Sequence, residues 1–217
     1  MSPDFRYHTA LYSVVLQPVP EDIAALEARC LPSEVRQAAQ FVSESRRREW
    51  LAWHALLQEL LPGAVAEYDR RGAPRLCGRY AGRCLSVSHA RGAVAVMLSD
   101  RPCGIDVEET GRCFDRARSR FVSPEEERFV EEGDNRTLAR LWCAKEALYK
   151  WGGVGGITLR DDIRITEVTP DGAFITPADG VRPAAQGKMA GSVRRRPCRL
   201  AYVYTGGYCL TWTEDEG

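Results

Sequence analysis

Gly104-Ile105-Asp106-Val107-Glu108 and, further along, Trp142-Cys143-Ala144-Lys145-Glu146-Ala147-Leu148-Tyr149-Lys150 are the two stretches that decide how this chain is read. The first begins apolar and alternates, so as a strand it sends Asp106 and Glu108 out of one face. The second spaces Trp142, Glu146 and Lys150 at i, i+4 and i+8, which puts an aromatic, an acid and a base along one stripe of a helix. Three carboxylates brought together without a counter-charge repel by about 1 kcal/mol per pair in water, and by several times that near a protein surface. Either these acids never meet, or they hold a hard cation.

The bases sharpen the reading. Of 30 Lys plus Arg, 27 are Arg, and the lysines are Lys145, Lys150 and Lys188. Two of the three thus fall within one six-residue window. Lysine is a compact ammonium that can release a proton, whereas arginine stays charged, so this window calls for an ammonium.

At 217 residues, 44% hydrophobic and 28% charged, the chain has the make-up of a globular protein with a sizeable core. Its formal net charge of zero gives no global field for nucleic acid or a membrane surface. The longest nearly continuous apolar stretch, 93–98, is far short of the ~18 residues of a membrane span. No small-residue cleavage site follows the apolar run 10–16, so no signal peptide and a cytoplasmic location are expected. The eight cysteines (30, 77, 84, 103, 113, 143, 198, 209) include no Cys-x2-Cys pair and do not cluster with His8, His54 or His89. Reduced, mostly buried thiols are expected, and no zinc site.

Strand patterns are read at 12–18, 85–87, 93–98, 104–108, 163–168, 173–176, 200–204 and 208–212, the second and third joined through 89–92. Helical patterns cover 21–61, broken at Leu31-Pro32-Ser33, and 135–151, stopped by Gly152-Gly153. Ser123-Pro124-Glu125-Glu126 has the capping-box arrangement and predicts a helix over 124–132. A turn is expected at Gly72-Ala73-Pro74 and a loop over 180–196.

Gly-Ile-Asp-Val-Glu followed by Trp-x-x-Lys-Glu-Ala-x-x-Lys resembles the signature pair of the 4'-phosphopantetheinyl transferases, in their longer, Sfp-like form. Gly72-Ala73-Pro74-Arg75 and Ser86-Val87-Ser88-His89 resemble a third block of that family in the expected order, and the likeness spans residues 30–165. It implies an α+β fold of two pseudo-symmetric subdomains, each with helices on a small antiparallel sheet, divided here as 1–103 and 104–217 with the active site at the junction. It implies transfer of phosphopantetheine from coenzyme A to a serine of an acyl or peptidyl carrier protein, releasing 3',5'-ADP, with Mg2+ as cofactor. By the same resemblance Asp106, Glu108 and Glu146 are metal ligands, Lys150 lies near the reacting phosphate, and Ser88 and His89 hold the nucleotide's phosphates. Arg48, Arg75 and Lys145 join them as coenzyme A contacts. A monomer is expected.

The chemistry suits these residue types. Mg2+ takes a few carboxylates plus substrate phosphates, and a serine nucleophile needs a proton acceptor, for which Glu146 is the first choice and Glu108 the second. Lys150 can neutralise or protonate the departing phosphate oxygen. The segment 112–122 offers Arg116, Arg118 and Arg120 to an acidic carrier protein, with Phe114, Phe121 and Val122 as an apolar anchor.

Plainer readings stand beside these. Asp106 and Glu108 could be surface acids, Glu146 with Lys150 an ordinary helix ion pair, Trp142 a core anchor, and Arg46-Arg47-Arg48 a solvated face or a phosphate clamp. Ser88 and His89 are strand neighbours that point apart, so they form no nucleophile–base pair. The pattern departs at Trp53-His54, where many relatives show Gly-Arg, and at Ala73, where relatives often carry lysine. That opens adenine and 3'-phosphate binding to Arg36, Arg48, His54, Arg71 and Arg75. A catalytically silent carrier-protein binding partner with the same fold is the alternative, and a nucleic-acid binder is disfavoured by the neutral charge.

Overall fold

The protein is described by a computed structural model over residues 4–169 and 185–214. Its elements are β1 (Phe5–His8), β2 (Tyr12–Pro18), α1 (Ile23–Glu27), α2 (Pro32–Ala38), α3 (Glu44–Leu60), β3 (Ala66–Tyr68), β4 (Pro74–Leu76), β5 (Cys84–Ala90), β6 (Ala93–Ser99), β7 (Ile105–Glu109), α4 (Arg118–Phe121), α5 (Asn135–Gly152), β8 (Ile163–Thr169), β9 (Ala185–Val193), β10 (Arg196–Thr205) and β11 (Tyr208–Glu214). They form a four-stranded sheet in the order β1-β2-β6-β5, a five-stranded sheet β7-β11-β10-β9-β8 and the β3-β4 hairpin. Every pairing is antiparallel, so the fold is α+β.

The two larger sheets share a plan. A strand runs into a long helix, and the last strand of the sheet returns to pair with it: β2 with β6 around α3, β7 with β11 around α5. Ser43 caps α3, its hydroxyl accepting the Arg46 N–H at 3.3 Å, and the helix buries Trp50, Leu51 and Leu57 against Val94, Val96 and Leu98. Asp134 caps α5, which buries Leu141 and Leu148 against Ile163 and Leu200. A third core lies between the sheets and joins Val14, Leu16 and Met97 to Ile105, Val107 and Trp212. With Ile105 and Val107 turned into that core, strand alternation sends Asp106 and Glu108 to the opposite face, toward α5.

Gly104 sets how closely β7 approaches α5. A Cβ there would lie 1.9 Å from the Ala147 carbonyl oxygen, so only glycine lets strand and helix meet backbone to backbone. At its other end α5 stops on Gly153, which takes the left-handed conformation (φ 58°) that glycine adopts without cost.

Three expectations need correction. Residues 124–132 form no α-helix: Glu126 N, Phe129 N and Val130 N bond three residues back, and only Glu127–Phe129 is 3-10. Glu126 does accept the Ser123 N–H (2.8 Å), as a capping box requires, but its carboxylate turns into the core instead of heading a helix. Residues 185–193 of the expected loop are the strand β9, whose inward positions are Gly187, Met189, Gly191 and Val193. Two of those four have no side chain, because a Cβ at Gly187 would meet Tyr202 and one at Gly191 would meet Leu148. The apolar alternation is therefore missing from the sequence. The β5 strand also continues through His89, so the expected 89–92 connection is shortened to the tight turn after Ala90. The strand expected at 173–176 lies outside the described residues.

Candidate active site

The stripe on α5 and the acids on β7 meet. Lys150 Nζ donates to Asp106 Oδ1 and to the Ile105 carbonyl, both at 2.8 Å, which ties helix to strand at the acid itself. Ser88, on the neighbouring β5, donates to the same Oδ1 at 2.7 Å and accepts the Val107 N–H at 3.3 Å. Ser86 repeats this one rung earlier, accepting the Ile105 N–H at 3.1 Å. Asp106 is thus fixed on one oxygen. Its other oxygen, Oδ2, is buried and has no partner among the described residues.

Glu108 is paired with Arg112, and burial and the nearby Asp106 carboxylate push its proton affinity upward against the pull of that guanidinium. Glu146 is raised in the same way, first by burial, then by Asp106 and Glu108, with Lys150 and Arg112 opposing. Glu146 on α5 thus feels both acids of β7. Among the described residues no three His, Cys, Asp or Glu side chains are gathered tightly enough to form a ready-made metal cluster. The donor types nevertheless suit a hard cation: three carboxylates, one with a buried oxygen that has no partner among the described residues.

Lys150 also reaches a cleft of about 650 Å³, lined besides by Arg71, Arg75, Arg83 and Arg196 against the single acid Asp69; Asp106, Glu108 and Glu146 do not line it. It adjoins a smaller cavity of about 200 Å³ at Gly72, Pro74 and Val87, where Arg46, Glu49, Trp50, Trp53, Tyr68 and His89 face inward. The cationic cleft suits an anionic ligand, and the aromatic cavity suits a flat ring.

Several expected site residues stand elsewhere. Lys145 is fully buried on another side of α5, and its ammonium is used up on Glu126 (2.7 Å) and the Leu159 and Ile163 carbonyls (2.8 and 2.9 Å). Lysine has three donors, so none remains for a ligand. Ser88 is buried and orients Asp106. His89 does reach the smaller cavity, with Nδ1 3.6 Å from the Glu49 carboxylate. Arg75 lines the cleft, donating to Asp69 at 3.1 Å, whereas Arg48 lines neither cavity and lies 3.9 Å from Glu44. Arg46 takes the place expected of Arg48. His54 is excluded as a phosphate ligand: it is stacked on Trp50 and Trp53, its Nδ1 lies 2.8 Å from the Trp50 carbonyl, and burial pulls its pKa down to about 3. Arg36 is exposed away from both cavities, while Arg71 lines the cleft and donates to the Gly153 carbonyl.

Trp142 is a core anchor, edge-on to Phe121 at 5.2 Å. Phe114, Phe121 and Val122 are themselves buried, so they offer a partner no apolar anchor. Arg118 is held by Glu127, while Arg116 and Arg120 remain exposed. Glu49 and Arg83 carried no signal in the sequence, because ordinary charged residues far apart in the chain reveal nothing until the fold gathers them.

A comparison with curated protein sequences found no match. Residues 102–186 match the family model of the 4'-phosphopantetheinyl transferase superfamily, and the matched stretch contains β7, α5 and all of Asp106, Glu108, Glu146 and Lys150. With these acids and the tethered lysine inside that match, residues 102–186 carry a domain of the 4'-phosphopantetheinyl transferase superfamily.

Proposed function

We propose that the protein transfers the 4'-phosphopantetheine group of coenzyme A to a serine hydroxyl of an apo acyl or peptidyl carrier protein, releasing 3',5'-ADP. The observation that carries this reading is the Asp106 carboxylate, held on one oxygen by Ser88 and Lys150 and without a partner among the described residues on the other, with Lys150 reaching from it to a cationic cleft. Asp106, Glu108 and Glu146 would hold Mg2+, which when bound supplies charge neutralisation on the diphosphate and orients the phosphorus.

The chain's own residues do the rest. Arg71, Arg75, Arg83 and Arg196 bind the anionic co-substrate in the cleft, and the cavity of Trp50, Tyr68 and His89 takes its base and 3'-phosphate with Arg46. Lys150 neutralises the leaving phosphate oxygen. Glu146 accepts the serine proton: Asp106 is paired with Lys150 and Glu108 with Arg112, whereas Glu146 has no ion pair among the described residues. A half-buried, unneutralised carboxylate with raised proton affinity suits a general base. The subdomain division at 103/104 is proposed with it, supported by the shared strand plan of the two sheets. No helix among the described residues is long and apolar enough to cross a membrane, and we place the reaction in the cytoplasm.

The test is to incubate the protein with coenzyme A, Mg2+ and a panel of apo carrier proteins and to look by mass spectrometry for the phosphopantetheine increment on the carrier. A serine-to-alanine carrier must stay unmodified. If no carrier gains the increment while coenzyme A still binds, the silent binding partner is the better description.

A further inference from the structure

We propose that Arg112 competes with the divalent cation: its guanidinium holds Glu108 in the metal-free protein and must release it for the site to load. The proposal rests on the assignment of Glu108 as a metal ligand. Two cations pair with two of the three acids, Lys150 with Asp106 and Arg112 with Glu108, and they are held differently. Lys150 is anchored by the Ile105 carbonyl as well as by Asp106, and its side chain is mostly buried. Arg112 has Glu108 as its carboxylate partner, is half exposed, and otherwise lies over the ring faces of Phe114 (5.0 Å) and Trp142 (5.5 Å). It can leave Glu108 without stranding a buried donor, because its freed N–H groups face water and its planar face keeps its ring contacts.

Glu108 cannot serve both partners in full. To ligate an ion Glu108 must give up its pair with Arg112, and a half-exposed ion pair of this kind weakens dication binding by about fivefold. Arg112 is therefore a positioning residue that sets metal affinity through Glu108. It also lies at the start of the segment carrying Arg116 and Arg120, so loading the site turns a neutralised arginine into a free cation beside them. Occupancy of the metal site and attraction of an acidic partner are coupled reciprocally.

The experiment is a Mn2+ titration of the full chain without coenzyme A or carrier, with free aqueous Mn2+ read by electron paramagnetic resonance. Arg112→Gln should bind Mn2+ about fivefold more tightly than the parent, and this gain should vanish when Arg112→Gln is added to Glu108→Gln. A variant that merely damages the fold would bind more weakly, so the sign separates the two. Unchanged or weaker binding by Arg112→Gln, or an equal gain in both backgrounds, overturns the proposal. A parent whose Mn2+ binding is absent, or is untouched by Asp106→Asn, removes the metal assignment itself and this inference with it.

Discussion

Replacing Gly104 by alanine should damage the active site more than the fold. The added Cβ would lie 1.9 Å from the Ala147 carbonyl oxygen and 2.9 Å from both the Ala147 carbonyl carbon and the Trp151 nitrogen, where real contacts of this kind stay above 3.0 Å. Strand and helix must therefore separate by more than 1 Å. Both obstacles are backbone, so no side chain can rotate away. Gly104 lies two residues before Asp106, and Ala147 follows Glu146, so the displacement falls between the two halves of the acid cluster. Overpacking of this kind costs about 1–3 kcal/mol of stability, while a misplacement of about 1 Å between reacting groups costs on the order of a hundredfold in rate. Urea unfolding and carrier-modification rates, both measured at a temperature where the variant is fully folded, check the two numbers separately. Gly111→Ala is the control, since a Cβ there meets nothing within 4 Å, and it should change stability by less than about 0.5 kcal/mol. A Gly104→Ala protein with parental turnover would refute the claim that this contact sets the spacing of the acids.

Glu146→Ala should lower transfer by at least about a hundredfold with the circular dichroism spectrum unchanged, because removing an unpaired acid beside two others relieves repulsion while dismantling the site. Asp106→Ala should lower transfer as much but also lower stability in urea unfolding, since Ser88 and Lys150 lose their acceptor. Lys150→Arg should fall by more than about tenfold in turnover, since a compact ammonium bridges the Ile105 carbonyl and Asp106 at 2.8 Å each, and a guanidinium is too long for that gap; parental rates would mean that charge alone matters. Lys145→Met should cost about 3–5 kcal/mol in urea unfolding by leaving Glu126 buried and unpaired. His54, neutral in the fold with a pKa of about 3, binds its proton only on unfolding, so stability should fall by up to about 1.4 kcal/mol per pH unit as pH drops below about 6.5, and His54→Leu should flatten that slope in unfolding measured from pH 6.5 to 4.5.

What the sequence revealed of the fold follows from where apolar side chains do the packing. Helix α3 and helix α5 announce themselves through residues such as Trp50, Leu57, Leu141 and Leu148 at helical spacing, and β6 through an unbroken buried run. Strand β9 is silent because close approach to Tyr202 and Leu148 demands glycine at two inward positions, so the very tightness of the packing erases the alternation that would signal it. The helix expected after Ser123 fails for a related reason. Its capping glutamate, Glu126, also accepts the Ile165 N–H at 2.7 Å and the Lys145 ammonium, and those partners hold the segment in a short turn.

The same network explains which site residues were legible. Asp106, Glu108, Glu146 and Lys150 sit on regular elements at spacings that fix their direction, so their meeting could be anticipated from β7 and α5 alone. Lys145 is one residue from Glu146, and one residue on a helix is a turn of about 100°, enough to carry it from the acid stripe into the core. A motif written as Lys-Glu therefore joins two side chains with opposite tasks. Lys145 anchors α5 to the segments around Glu126, Leu159 and Ile163, and that anchorage holds Glu146 facing β7. The Glu49–His89 contact and the cleft residues Arg83 and Arg196 belong to a different kind of information, since the first joins α3 to β5 and the cleft joins the segment before β5 to the start of β10, and no local spacing encodes either meeting.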